Sequence, residues 1–244
     1  MTINACCPEI ETALQPLLNE LVVLFTTKEL YRGFLWLSGR HKVGKSTICA
    51  LLVKELLASG TRNDQPKNIS PQDAVIATAV VFAKKGLTLM DIICEWAGQL
   101  ISYPGIVGDV FIKHLTNRCE DIYKWKSCSK DAKDVPTDLT FLDSFTATLE
   151  LFQLLLVEPL QLLAKHREGG SLPLILLVLD GLDELGAVEE TNFLTLLCAN
   201  QFDSRFAYFS ALPKMVYLFV SSSKSPVPPL QHSWSPSFIP FEVQ

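Results

Sequence analysis

Two clusters in this chain have the residue types and spacing to do chemistry. The first is Gly39-Arg40-His41-Lys42-Val43-Gly44-Lys45-Ser46, followed by Thr47. Two glycines with four residues between them, then Lys-Ser, fit the pattern of a phosphate-binding loop. The glycines would let the backbone turn tightly and point its N–H groups inward. Lys45 would bring a point charge to the β- and γ-phosphates, and a helix starting there would aim its positive end at the same place. Ser46 would ligate Mg²⁺ and Thr47 would hydrogen-bond the α-phosphate. Arg40, His41, Lys42 and Val43 complete the loop; His41 could touch a phosphate, although side chains between the glycines mostly point outward.

The second cluster closes the run LILLVLDGLDEL, residues 174–185. A hydrophobic strand ending in Asp180 puts a carboxylate at the carboxyl edge of a sheet, where open α/β sheets take their ligands. Asp180 is the candidate partner for Mg²⁺, and Gly181 leaves room beside it. Asp183 and Glu184 are both candidates for orienting an attacking water.

Both clusters depend on the elements that carry them. Five apolar, β-rich runs stand out: 34–39, 74–83, 174–180, 215–222 and 238–243. Four are nearly continuous in hydrophobicity, as strands buried on both faces of a parallel sheet must be. Helical patterns lie between them, with apolar residues three and four apart in 45–59, 87–102, 141–166 and 189–202. Alternating strand and helix gives an α/β fold. Pro159 is expected to kink or split the long helix at 141–166. Residues 60–73 read as a polar loop, 117–139 as a charged surface insertion and 224–237 as a Pro/Ser-rich connection. Residues 1–30 form an N-terminal helix or linker, and 31–244 form the core.

Composition limits the partners. The chain has 244 residues, 48% hydrophobic and 19% charged, with a net charge of −5, which is a globular composition without the field to attract nucleic acid or anionic lipid. The most apolar segments, 149–164 and 172–182, are interrupted by an acid or proline before membrane-spanning length. The seven cysteines are scattered and lack the spacing of a zinc site. They are expected to be reduced, mostly buried thiols in a cytoplasmic protein. His114, His166 and His232 have no acid or serine at the spacing of a catalytic triad.

In order along the chain, GFLWLSGRHKVGKSTICALLVKEL, LFQLLLVEPLQLL, LPLILLVLDGLDEL and KMVYLFVSSSKSP resemble the NACHT class of STAND P-loop NTPases, fungal and nephrocystin-3-like forms above all. The similarity spans about residues 30–243. It implies a three-layer α/β/α sandwich on a five-stranded, mostly parallel sheet, with the phosphate-loop strand central and the fourth strand between it and the Asp180 strand. It also implies ATP (or GTP) with Mg²⁺, used as a conformational switch in signalling or innate-immunity-like responses, and self-association or contact with other NLR-like chains. Carried over by position, Gly44, Lys45, Ser46 and Thr47 would hold phosphates and metal, Asp180 would hold Mg²⁺, and Asp183 or Glu184 would activate water. Where the family ends its fourth strand in a Thr-Ser-Arg-Pro type sequence, with Arg sensing the γ-phosphate, this chain has Ser221-Ser222-Ser223-Lys224. Lys224 could supply a charge, in another register and without a planar fork. The expectation is a nucleotide core lacking the family's helical lid and repeats.

Three functions follow: a nucleotide switch with slow or absent hydrolysis, a catalytically inactive nucleotide-binding module, and a small P-loop kinase. The kinase would need an arginine-rich lid, and the arginines here are dispersed.

Overall fold

The continuous apolar runs become strands because both of their faces are covered. In β1 (Phe34–Gly39), Phe34 and Trp36 face one side while Leu35 and Leu37 face the other. In β3 (Leu174–Asp180), Ile175, Leu177 and Leu179 alternate with Leu176 and Val178. Val216, Leu218 and Val220 of β4 (Val216–Ser222) alternate likewise with Tyr217 and Phe219. The side-chain period of two thus survives inside runs in which apolar residues fill both faces. The computed structural model describes residues 34–40, 43–59, 76–119, 140–166, 174–198, 208–225 and 238–243. The readings placed on 1–33, 60–73, most of 117–139, 226–237 and on His41 and Lys42 fall outside them.

β1 to β4 form the body of the sheet, with β2 spanning Ile76–Phe82, and β5 (Phe238–Val243) runs along the outer side of β1. The order is β2-β3-β4-β1-β5, and every pairing is parallel. The fold is therefore α/β on a parallel sheet. The phosphate-loop strand is not the middle one, because a single strand lies outside it; β4 is the middle strand, between β1 and β3. The free side of β2 is closed at Val80 by Gln99, whose side-chain amide accepts from the Val80 N–H at 2.8 Å and donates to its carbonyl at 2.7 Å. These two bonds mimic a ladder pair and blunt an edge.

The two faces are covered unequally. On one, α1 (Lys45–Ser59) lays Ile48, Cys49 and Leu52 against the sheet. The other carries α2 (Leu89–Ile101), α3 (Ile106–Asn117), α4 (Thr140–Phe152), α5 (Glu158–Lys165) and α6 (Ala187–Cys198). α2 starts at a capping box in which Thr88 and Asp91 satisfy each other's backbone N–H. At the centre of this face Trp96 is fully buried; its indole N–H donates to the Val178 carbonyl at 3.0 Å, and its rings meet Phe193 and Phe209.

Pro159 does not split its helix. Residues Phe145–Lys165 run on as one helical stretch, because α4 passes into a π-helical turn, Gln153–Val157, just before the proline. Proline clashes with the carbonyl four residues back, and the wider turn removes the clash. The turn also turns the Leu154 carbonyl toward His114, whose Nε2 lies 3.1 Å away in a buried position. This stretch is long and apolar enough to cross a membrane, contrary to the sequence expectation, but most of its apolar part is buried within the protein. The thiols also differ from expectation: Cys49 is buried, whereas Cys94 and Cys119 are exposed.

Candidate functional site

The carboxyl ends of β1, β3 and β4 come together at one edge. The strand register pairs Ser38 with Ser222 and Leu179 with Val220, so Gly39, Asp180 and the serines of β4 end side by side. The phosphate-loop sequence and the Asp180 sequence, 141 residues apart in the chain from Gly39 to Asp180, are thereby brought to one place.

Gly39 is the last residue of β1, and α1 begins at Lys45. Between them Gly44 takes φ 93°, a left-handed value that favours glycine, and its carbonyl receives the Ile48 N–H at 2.9 Å, the first full turn of α1. Lys45 is only 9% exposed. Its ammonium donates to the carbonyls of Gly39 and Arg40, each at 2.9 Å. A buried ammonium needs its donors satisfied, and here its own loop does so. Arg40 and Ser46 are exposed, while Val43, Gly44 and Thr47 are half-buried.

Asp180 is 4% exposed. Its Oδ1 accepts from the Ser221 hydroxyl and from the Cys49 thiol at 3.4 Å. Ser221 in turn accepts the Gly181 N–H at 2.9 Å, and Gly181 has φ 81°. Cys49 lies three residues after Ser46 on α1, which puts both on one side of the helix and brings the Ser46 end of α1 over Asp180. Burial, with the Asp180 charge beside it, pushes the Cys49 thiol well above its ordinary value, so Cys49 donates as a neutral thiol.

Asp183 sits in the 3₁₀ turn Leu182–Glu184. Its Oδ1 accepts the Ser223 N–H at 2.8 Å and its Oδ2 the Ser223 hydroxyl at 2.5 Å. Partial burial raises its carboxyl pKa, but the Ser223 hydroxyl, two backbone N–H bonds and the Lys45 ammonium together outweigh that, and the net shift is downward. Glu184 is exposed, and its side chain lies over Gly181, where an added Cβ would meet its Cγ at 3.3 Å.

The charge of Lys224 goes elsewhere. Its ammonium pairs with Glu190 of α6 at 2.6 Å, and its carbonyl accepts the Trp36 indole N–H at 3.1 Å. Lys224 acts as a tie between β1, β4 and α6, not as a cation aimed at the loop. Ser221, Ser223 and Cys49 were not read as site residues from the sequence. The order of strands was the signal available for the two serines, since a fourth strand beside Asp180 must end next to it.

This edge offers a buried cation held by exchangeable carbonyls, a helix N-terminus, two small hydroxyls and a buried carboxylate. Together these fit an anion of phosphate type. No group of three or more His, Cys, Asp or Glu among the described residues could hold a metal by itself, so a hard cation here would take most of its ligands from phosphate and water. No family model and no curated protein matches the chain, and the chemistry of this edge carries the functional reading.

Proposed function

We propose that the protein is a nucleotide-binding switch of the NACHT/STAND class, taking ATP (or GTP) with Mg²⁺ on a P-loop NTPase core and turning it over slowly or not at all. The observation that carries this is the Lys45 ammonium, buried and donating to the Gly39 and Arg40 carbonyls of its own loop. A charged phosphate oxygen is a stronger acceptor than a carbonyl, so a triphosphate would displace them. Gly39, Arg40, Val43, Gly44, Lys45 and Thr47 would line the phosphates, with His41 and Lys42 completing the loop in sequence. Ser46 and Asp180 would hold Mg²⁺. When bound, the metal would neutralise charge on the β- and γ-phosphates.

One observation favours weak or absent hydrolysis. Both Asp183 oxygens are engaged by Ser223 and its carboxyl is more acidic than usual, which makes it a poor base. Glu184 remains the more exposed candidate for that role. As a switch the protein would act in the cytoplasm and couple nucleotide state to self-association or to related chains in a signalling or immunity-like response; a binding module without turnover is the second reading.

The test follows fluorescent ATP with Mg²⁺ and phosphate release together, for wild type and Lys45→Ala. Binding lost in the variant, with slow release by wild type alone, supports the switch. Binding without release supports the module. Equal binding by both proteins, or none by wild type, sinks the proposal.

A further inference from the structure

We infer that Ser223 is a positioning residue that acts as a brake, holding the Asp183 carboxylate away from the proton-accepting role it would otherwise have at a bound triphosphate. The inference rests on the nucleotide-binding reading and extends it by assigning a cause to slow turnover.

The geometry is specific. A general base must turn a lone pair toward the water it deprotonates. Asp183 turns both oxygens toward one residue, receiving the backbone N–H and the hydroxyl of Ser223. The Ser223 hydroxyl donates to a carboxylate, so this bond is of the charge-assisted kind. Ser223 cannot easily drift from this pose. Lys224, next in the chain, is fixed through its carbonyl to Trp36 and through its ammonium to Glu190, and its N–H donates to Ser222 at 3.1 Å. On the other side, Asp183 is held in a turn closed by the Glu184 N–H bonding the Gly181 carbonyl at 2.8 Å. Two segments 40 residues apart are thus each fixed by their own contacts, and Ser223 and Asp183 meet between them.

Asp180 has a different arrangement. Ser221 and Cys49 both donate to its Oδ1, so the bonds fall on one oxygen and not on both. The two serines, one near the end of β4 and one just past it, therefore treat the two acids differently: Ser221 orients Asp180, whereas Ser223 occupies Asp183.

Removing the Ser223 hydroxyl would free Oδ2 and leave the backbone bond to Oδ1 in place. Loss of one charge-assisted bond raises the basicity of a carboxylate by about ten- to a hundredfold, of which roughly half on a logarithmic scale reaches the rate. The expected gain in turnover is about three- to tenfold.

The experiment uses the full chain and measures phosphate release at saturating ATP·Mg²⁺, with KM and fluorescent-ATP affinity on the same preparations. Ser223→Ala is expected to raise kcat about three- to tenfold with KM and affinity unchanged. Ser223→Thr, which keeps the hydroxyl, is expected to return kcat to the wild-type value, and Ser223→Cys, a weaker donor of similar size, to fall between. Adding Asp183→Asn to Ser223→Ala should remove the gain. A kcat for Ser223→Ala and Ser223→Cys at or below wild type with affinity retained would overturn the brake and leave nucleotide binding standing, as would a gain that persists in the double variant. Failure of wild type to bind nucleotide would overturn both.

Discussion

The two faces of the sheet divide the work of the molecule. Five helices and their aromatic cluster cover one face, and among the described residues α1 alone covers the other. The thick face buries Trp96, Phe111, Phe152 and Phe193 completely and carries most of the apolar burial. The thin face ends in the loop, Lys45 and the two acids. The larger apolar cluster thus lies away from the candidate phosphate site, and the helix that bears that site packs on the smaller one. A ligand at the N-terminus of α1 can therefore bias its position without opposing the main core.

Breaking the thick face should have the largest effect. Trp96→Ala removes a fully buried ring and the indole bond to Val178. The expected loss is about 3–5 kcal/mol, a large part of the total for a domain, read as a fall in the urea midpoint. Lys45→Ala acts on the thin face and should do the opposite. Nucleotide affinity should fall by about a hundredfold or more, with the urea midpoint almost unmoved. If Lys45→Ala unfolds the protein, the division between faces is wrong.

A smaller effect tests a polar contact inside the thick face. His114→Leu would leave the Leu154 carbonyl of the π-helical turn without its buried partner, at a cost of about 1–3 kcal/mol, again by urea unfolding. Nucleotide affinity should not change.

Asp183 gives a pH signature of the thin face. Its folded carboxyl lies below its ordinary value, so it contributes stability above the unfolded pKa, lost as pH falls through the lower folded value. The urea midpoints of wild type and Ser223→Ala, followed from neutrality to about pH 3, should differ most near neutrality and converge in acid. Smallest of all, a mild alkylating reagent at neutral pH should modify the exposed Cys119 and Cys94 before Cys49, by peptide mass mapping. Burial raises both Cys94 and Cys49, and Cys49 far more.

The sequence made the thin face more legible than the thick one. Gly44, Lys45 and Asp180 could be read because a local motif fixes their geometry: a glycine at positive φ, a helix starting at once, and a carboxylate at a strand end. α1 was found at its full length for the same reason. The thick face depends on tertiary fit. α3 was missed although Val107, Val110, Phe111 and His114 form a helical stripe, because it is short and follows Tyr103-Pro104-Gly105, which reads as a turn. The local rule predicts a kink or a split at Pro159, and a π-helical turn before it keeps the helix unsplit. Ser223 had only the order of strands to mark it, since its partner is 40 residues away and serine is common at strand ends.

The central claim is that a triphosphate sits on the thin face at the start of α1. Amide hydrogen exchange with and without ATP·Mg²⁺, resolved by peptide, tests it most directly. The account expects slowed exchange in peptides covering 39–50 and 180–185, little change in α2 to α5, and no effect in Lys45→Ala. Protection confined to the thick face, or an unchanged pattern at saturating nucleotide, would contradict it.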